Sequence, residues 1–339
     1  MSECLITRPG PSFRHLRNDG EPLRHQGAAM KVYILDKFHP AGIELMQQHA
    51  DVVLWDDPNA AGWHRDADAI MVRMRPLTAD DFAKAKGLKV VAKQGVGVNT
   101  IDLDAARRHG VTVCNTPGVN SEAVAEMAMA LTLAVARRVA DFTARIRAGE
   151  VVERADALGI ELWGRTVGVV GMGNIGTRVA RKWRGAFETP LLAYDPLAPA
   201  NAWGDIPHER VGALDTLLSR ADVVTLHLPL TPQTRHLIGA AQLGLMKRDA
   251  ILINVSRGGI VDEDALYDAL QAGRIFGAGL DVFEVEPPTT ANRLVSLPNL
   301  VATPHAAGST ADTQARSSRL VAEQLLDVMA GKEPLSRVA

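Results

Sequence analysis

The sequence predicts an α/β fold in two domains, with a doubly wound parallel sheet inserted into a smaller α/β unit. Three observations carry this reading. The chain has 339 residues, enough for two hydrophobic cores. Short β-branched runs alternate with helical stretches along most of it, as parallel strands joined by crossover helices do. A glycine-rich turn, Gly171-Met-Gly173-Asn-Ile-Gly176, stands in mid-chain between an apolar run and a helical pattern. The part built around that turn therefore interrupts the part that begins near Met30.

Residues 1–29 carry Pro9, Pro11 and Pro22, several Arg and His, and no apolar periodicity, so they are expected to form a flexible extension. They lack the continuous apolar core of a secretory signal, and Glu3, Asp19 and Glu21 interrupt any amphipathic targeting segment. From Met30, strands are expected at 32–35, 52–55, 69–72, 89–92 and 111–114. The loop Asn115-Thr-Pro-Gly118-Val-Asn120 leads into a long helix capped by Asn120 or Ser121 and continuing to about Arg138. After the glycine turn come strands at 191–195, 223–226, 251–255, 278–282 and 300–303, each separated from the next by a helical pattern. An amphipathic helix over about 310–329 closes the chain ahead of Gly331. The expected division is 30–117 with 308–339 for the smaller domain and 118–307 for the inserted one. Crossovers near Gly118 and Ala307 are then expected to hinge beside a cleft.

Composition removes several classes of function. The formal net charge is −2 without a basic block, so nucleic acid is not the expected partner. Cys4 and Cys114 make neither a disulfide framework nor a zinc spacing, no metal is expected, and the pair suits a reducing, cytoplasmic setting. The longest apolar stretch, 124–136, contains Glu126 and is shorter than the roughly 20 residues a membrane span requires.

The chemistry begins at the glycine turn. Gly171 permits the tight turn, Gly173 lets backbone approach a pyrophosphate, and Gly176 lets the helix pack close to its strand. The helix N-terminus, with Asn174 and Ile175 in its first turn, then offers unpaired N–H groups to phosphates. Asp195 ends the next strand, can accept from both ribose hydroxyls and would repel a 2′-phosphate, which favours NAD over NADP. Ligands of open parallel sheets bind outside the carboxyl ends of the strands. The residues at those exits are Gly171 and Gly173, Asp195, His227 and Pro229, Ser256 and Arg257, Asp281 with Glu284 and Glu286 beyond it, and His305. An arginine, a carboxylate and a histidine on one edge suit hydride transfer at a 2-oxo or 2-hydroxy acid. Arginine clamps a carboxylate, while histidine passes a proton to the carbonyl oxygen and a neighbouring glutamate fixes its tautomer.

Simpler readings compete at each position. Most of the ten histidines are expected on surfaces or in loops. His227 suits a structural or cofactor contact better than catalysis, Arg257 could pair with Asp262, and Glu284 rivals Glu286 as the histidine's partner. Gly258 and Gly259 beside Arg257 suggest close backbone approach to a ligand. Arg73 and Arg75 fit a solvated rim as well as they fit substrate contact, and the stripe Met127, Met129, Leu131 and Leu133 reads as core or subunit interface.

At these residues the chain closely resembles the D-isomer-specific 2-hydroxyacid dehydrogenases, a family that includes D-3-phosphoglycerate dehydrogenases and glyoxylate/hydroxypyruvate reductases. The likeness spans about Met30 to Met329 and rests on ordered motifs: 162–166 with the glycine turn, His227-Leu-Pro-Leu-Thr-Pro-Gln-Thr-Arg235, Ile253-Asn-Val-Ser-Arg257-Gly-Gly-Ile-Val-Asp262, Gly279-Leu-Asp281-Val-Phe-Glu-Val-Glu286-Pro287, and Thr303-Pro-His305. It implies a Rossmann NAD-binding domain within a smaller flavodoxin-like substrate domain. It also implies that Arg257 binds the substrate carboxylate, that Glu286 pairs with His305, and that His305 is the general acid or base. Asp281 would contact the nicotinamide amide. His227, Pro229, Thr234, Val255, Ser256, Arg257, His305 and Gly308 would line the cofactor pocket. Gly95-Val96-Gly97-Val-Asn99 looks like the family's substrate loop, whose N–H groups meet the carboxylate; relatives often carry Asp where Asn99 stands. Arg73-Met74-Arg75 departs from relatives that place a small hydroxyl residue after the arginine, and its two arginines favour a substrate with a second anionic or polar group.

The expected partner is thus a small anionic 2-oxo or 2-hydroxy acid, with a homodimer formed through the inserted domain. D-3-phosphoglycerate dehydrogenase is one specific alternative. The serine-sensing regulatory domain of some phosphoglycerate dehydrogenases is not expected. An NAD-sensing corepressor is the alternative from another class, since such family members keep the same catalytic set. Formate oxidation is disfavoured, because it usually comes with glutamine where Glu286 stands.

Overall fold

A computed structural model describes residues 24–25 and 28–339. The expected flexible extension, 1–29, lies outside the described residues, apart from a short antiparallel ladder of β1 (Arg24–His25) with β2 (Ala28–Ala29). The chain divides into two compact units.

The first unit comprises the described residues up to Lys93, with Asn99–Cys114 and Val321–Ala339. Its elements are β3 (Lys31–Ile34), α1 (Pro40–Gln47), β4 (Asp51–Val53), β5 (Ala69–Val72), α2 (Ala79–Lys84), β6 (Val90–Lys93), α3 (Leu103–Arg108) and β7 (Thr112–Cys114). The strands form one parallel sheet in the order β4-β3-β5-β6-β7, which is the flavodoxin-like order. β5 and β6 are buried at every position because helices cover both faces of such a sheet, which is why they read as unbroken apolar runs. One face packs under Trp63, Phe82 and Ile101. The other packs under Met46, Val321 and Leu325. The exposed side of β7 is paired by the tail, with Val338 N–H donating to Val113 O at 2.8 Å and Val113 N–H to Ala339 O at 3.0 Å.

The second unit comprises Gln94–Val98 and Asn115–Leu320. It contains α4 (Ser121–Ala136), α5 (Val139–Arg147), β8 (Val167–Val170), α6 (Asn174–Phe187), β9 (Leu191–Tyr194), β10 (Glu209–Arg210), α7 (Leu214–Arg220), β11 (Val223–Leu226), α8 (Ala240–Leu245), β12 (Ile251–Asn254), α9 (Glu263–Gln271), β13 (Gly277–Leu280) and β14 (Leu300–Ala302). α10 (Ala311–Met329) starts in this unit, and its residues from Val321 belong to the first. The sheet is parallel throughout in the order β10-β9-β8-β11-β12-β13-β14, the doubly wound dinucleotide-binding order extended by one strand. Winding reverses between β8 and β11, so the binding crevice belongs at their carboxyl ends. One core under this sheet is built on Leu217, Leu252 and Leu266. The other is built on Leu131, Val169 and Trp183.

Two local expectations are corrected. The helix expected to run to about Arg138 ends at Ala136. Arg138 adopts a left-handed φ of 51° and pairs with Asp141 at 2.6 Å, which starts α5 on a new axis without any glycine or proline to announce the break. Asn120 holds the cap position of α4 but makes no side-chain capping bond. β13 and β14 are joined by a loop holding only a 3-10 turn at Arg293–Ser296, where a helical pattern was expected; Pro287, Pro288 and Pro298 remove the amides a longer helix needs.

Candidate active site

The site is built at the exits of β8, β9, β11, β12, β13 and β14. Gly171 follows β8 with φ +100°, and a Cβ there would lie 2.3 Å from the carbonyl oxygen of His227, so the turn closes only with glycine. A Cβ on Gly176 would lie 2.0 Å from the carbonyl oxygen of Gly171, which explains why α6 starts so close to its strand. Gly173 meets nothing within 4 Å, and no side chain caps the first turn of α6. Its amides are therefore available to an anion, as the sequence pattern required. Asp195 braces the turn as well as ending β9: one oxygen accepts from Met172 N–H at 2.9 Å, the other from Leu197 and Ala198 N–H at 2.9 and 3.1 Å. Arg210, which sequence reading missed, donates to the carbonyl oxygens of Asp195, Ala198 and Pro199. Only the pairing of β10 beside β9 brings it there.

Several residues expected to line a cofactor pocket direct their side chains into the protein. His227 Nε2 lies 2.8 Å from Thr225 Oγ1, its Nδ1 is buried without a partner, and burial lowers the ring's pKa to about 3. That ring is neutral. Thr234 Oγ1 donates to Pro229 O at 2.7 Å and accepts from Thr231 N–H at 2.7 Å, so it shapes the loop that displays Pro229. Val255 and Ser256 are buried, and Ser256 Oγ donates to Leu226 O at 2.7 Å. Gly308 faces Asn120, whose Nδ2 would lie 3.0 Å from a Cβ.

Arg257 leaves β12 through a turn organised by Asn254. Its Oδ1 accepts from Ser256 N–H at 3.0 Å and its Nδ2 donates to Arg257 O at 3.0 Å. The guanidinium is partly exposed, donates to Ser256 O at 2.6 Å, and pairs with no carboxylate among the described residues. Asp262, its expected rival partner, caps α9 through Ala265 N–H instead. The glycines beside Arg257 are explained differently from the expectation. A Cβ on Gly258 would lie 1.8 Å from Phe283 O, so the close approach is to the neighbouring loop, and Gly259 answers a φ of +78°.

That neighbouring loop carries Glu286, which meets His305 beyond β14. His305 Nδ1 lies 2.7 Å from Glu286 Oε2, and Glu286 Oε1 accepts from Phe283 N–H at 3.1 Å. A carboxylate only accepts, so Nδ1 carries the proton in this contact. Glu284 takes another partner, His236, at 3.0 Å. Asp281 is fully buried. One of its oxygens accepts from Thr303 Oγ1 and from Ala306 N–H at 2.8 Å; the other accepts from Ala307 N–H at 2.9 Å. The turn bearing His305, itself at φ 54°, is thus folded around this carboxylate, and His305 N–H donates to Asp281 O at 2.7 Å.

The loop Gly95-Val96-Gly97 belongs to the same unit. Gly95 N–H donates to Thr116 Oγ1 at 2.8 Å and Asn115 Nδ2 donates to Val96 O at 2.8 Å. Arg73 and Arg75 belong to the first unit. There the amides of Arg73, Met74 and Arg75 converge on Asp36 Oδ2 at 2.6, 3.1 and 3.2 Å, and Lys93 Nζ donates to Arg73 O. Asp36 and Lys93 were not singled out from the sequence, although each stands beside a strand end.

Residues 129–307 match the family model described as D-isomer specific 2-hydroxyacid dehydrogenase, NAD binding domain. The chain belongs to the D-isomer-specific 2-hydroxyacid dehydrogenase family. It is 44% identical over 254 residues to the hydroxypyruvate reductase of Thermotoga maritima, covering 74% of this chain and 81% of that one. It is 41% identical over 312 residues to the D-3-phosphoglycerate dehydrogenase of Methanocaldococcus jannaschii, covering 89% of this chain but only 58% of that longer protein. The solved glyoxylate reductase of Paecilomyes thermophila superposes with a TM-score of 0.81 at 29% identity, over 91% of this chain and 98% of that one. This family member is an NAD-dependent oxidoreductase acting between 2-oxo and D-2-hydroxy acids.

Proposed function

We propose that this dehydrogenase reduces a small anionic 2-oxo acid, with His305 as general acid, Glu286 as its partner and Arg257 as the carboxylate clamp. The observation that carries the reading is the 2.7 Å contact of His305 Nδ1 with Glu286, in the same unit as an Arg257 guanidinium free of carboxylates among the described residues. The glycine turn fits the cofactor: a Cβ on Gly171 would meet His227 O and one on Gly176 would meet Gly171 O, Gly173 is open, and the uncapped first turn of α6 suits a pyrophosphate. Gly171, Gly173, Asn174, Ile175 and Gly176 would hold the phosphates, and Asp195 the ribose. NADH, when bound, supplies the hydride. Arg257 orients the substrate by its carboxylate, joined by the amides of Val96 and Gly97, and draws charge toward the carbonyl oxygen. His305 gives the proton on Nε2 to that oxygen and keeps the one on Nδ1 against Glu286.

Arg73 and Arg75 support a substrate bearing a second anionic or strongly polar group, such as hydroxypyruvate or its phosphate. A homodimer is part of the proposal, supported by α5, which buries none of its residues, and by exposed Val151, Leu158 and Trp163 after it. A panel of glyoxylate, hydroxypyruvate, phosphohydroxypyruvate and longer 2-oxo acids with NADH tests the reading. Oxidation of NADH by none of them would reject it. His305→Ala is expected to lower kcat by about 10²–10⁴ while NADH still binds; retained turnover would remove His305 from its role. Preference for uncharged acids, surviving Arg75→Ala, would sink the second-anion reading.

A further inference from the structure

One residue outside the assigned set touches both loops that carry it, one through its backbone and the other through its ring. The N–H of His236 donates to Gly259 O at 2.7 Å, two residues beyond Arg257. Its ring Nε2 lies 3.0 Å from Glu284 Oε1, two residues before Glu286. The segment between is tied down from other sides as well. Glu284 N–H donates to Glu263 Oε1 at 2.5 Å, Asn292 Nδ2 donates to Glu263 Oε2 at 2.7 Å, and Phe283 O rests against Gly258. Glu284 and Glu286 thus each meet a histidine: Glu284 meets His236, and Glu286 meets His305. His236 is also held at φ 51°, a conformation a non-glycine residue keeps only where its surroundings enforce it.

We infer that His236 is a positioning residue that sets the spacing between Arg257 and the Glu286–His305 pair, by tying the backbone beyond Arg257 to the segment carrying Glu286. The inference rests on the roles proposed for those three residues. A plain surface ion pair is the competing account, since the His236 and Glu284 side chains are 43% and 36% exposed and such pairs add little stability. The two accounts part on where the loss appears. The other carboxylate facing the ring is Asp262, at 3.9 Å from Nδ1, and it is engaged in capping α9.

The test compares wild type, His236→Ala and His236→Gln. His236→Ala is expected to lower kcat about tenfold and raise KM for the 2-oxo acid, because small misplacements of reacting groups are costly. The NADH dissociation constant and the thermal midpoint should stay near wild type. His236→Gln keeps a donor for Glu284 and should recover most of the turnover. Amide hydrogen exchange over 281–287 should quicken in His236→Ala while exchange over 171–180 does not. Unchanged kinetics with unchanged exchange would overturn the inference, as would losses shared equally by turnover, NADH binding and thermal midpoint. If wild type turned over no acid in the panel, the proposed function would fall, while the exchange comparison would still decide whether His236 holds the segment.

Discussion

At Asp281 a single buried carboxylate decides the shape of the turn that presents His305. Its oxygens collect the Thr303 hydroxyl and the amides of Ala306 and Ala307, donors that would otherwise be left unpaired at the end of β14. Asp281→Asn replaces an acceptor by a donor facing those groups. It is expected to cost about 1–3 kcal/mol of stability and to lower turnover by displacing His305, measured by urea unfolding and steady-state rates. Unchanged stability would show that the turn is held elsewhere. At His227 the sign of a pH effect follows from burial. The folded ring titrates at about 3 against 6.5 for the free side chain, so the unfolded chain binds a proton in that interval and the folded chain does not. Stability from this group is therefore complete above pH 6.5 and is lost as pH falls toward 3, with a slope approaching ~1.4 kcal/mol per unit. His227→Gln should flatten the dependence of unfolding free energy between pH 6.5 and 4.5 relative to wild type; parallel curves would contradict the burial of this ring. The His305–Glu286 partnership was legible in the sequence through the strand exit and the motif. The exclusion of Glu284 was not, because its partner His236 lies 48 residues away in the chain.

Among the elements, α6 separates glycines that are required from one that is not. Gly176 sits against the Gly171 carbonyl, whereas Gly185 on the same helix meets nothing within 4 Å. Gly176→Ala is expected to push the helix start off β8, costing roughly 1–3 kcal/mol and weakening NADH binding at least about tenfold through the displaced amides. Gly185→Ala should be neutral or stabilising by about 0.5–1 kcal/mol. Fluorescence titration with NADH and thermal unfolding of both variants make the check, and equal behaviour would undo the assignment. Strands were the most legible elements, since β-branched runs buried on both faces leave unbroken apolar stretches. The break between α4 and α5 was illegible. It depends on Arg138 reaching Asp141 and the carbonyl oxygens of Asp156 and Leu158, contacts with no local sequence signature.

For the whole molecule, the proposed homodimer would cover exposed apolar residues of the second unit. Val139 and Ile146 on α5 are 53% and 65% exposed, and Val151, Leu158 and Trp163 are 82%, 70% and 70% exposed. All five lie within residues 139–163, the stretch through which the homodimer is proposed. Ile146→Asp is expected to shift a dimer to monomer at micromolar concentration in sedimentation, with the two cores intact. A wild-type chain that sediments as a monomer would exclude the proposed homodimer. No helix among the described residues is long and apolar enough to cross a membrane.

The sequence by itself determined the parallel α/β class and most strand positions, and its strand exits with the family resemblance pointed to the glycine turn with Asp195 and to Arg257, Glu286 and His305. These are legible because each depends on local rules: strand periodicity, the backbone demands of a tight turn, and the placement of polar groups at strand ends. Only the tertiary structure decided that Glu284 meets His236, that a Cβ on Gly258 would meet Phe283 O, that Asp281 folds the His305 turn, and that Arg210 braces the turn after β9. Those outcomes depend on contacts between strand exits far apart in the chain. Sheet order and register bring such exits together, and no periodicity in the sequence encodes them.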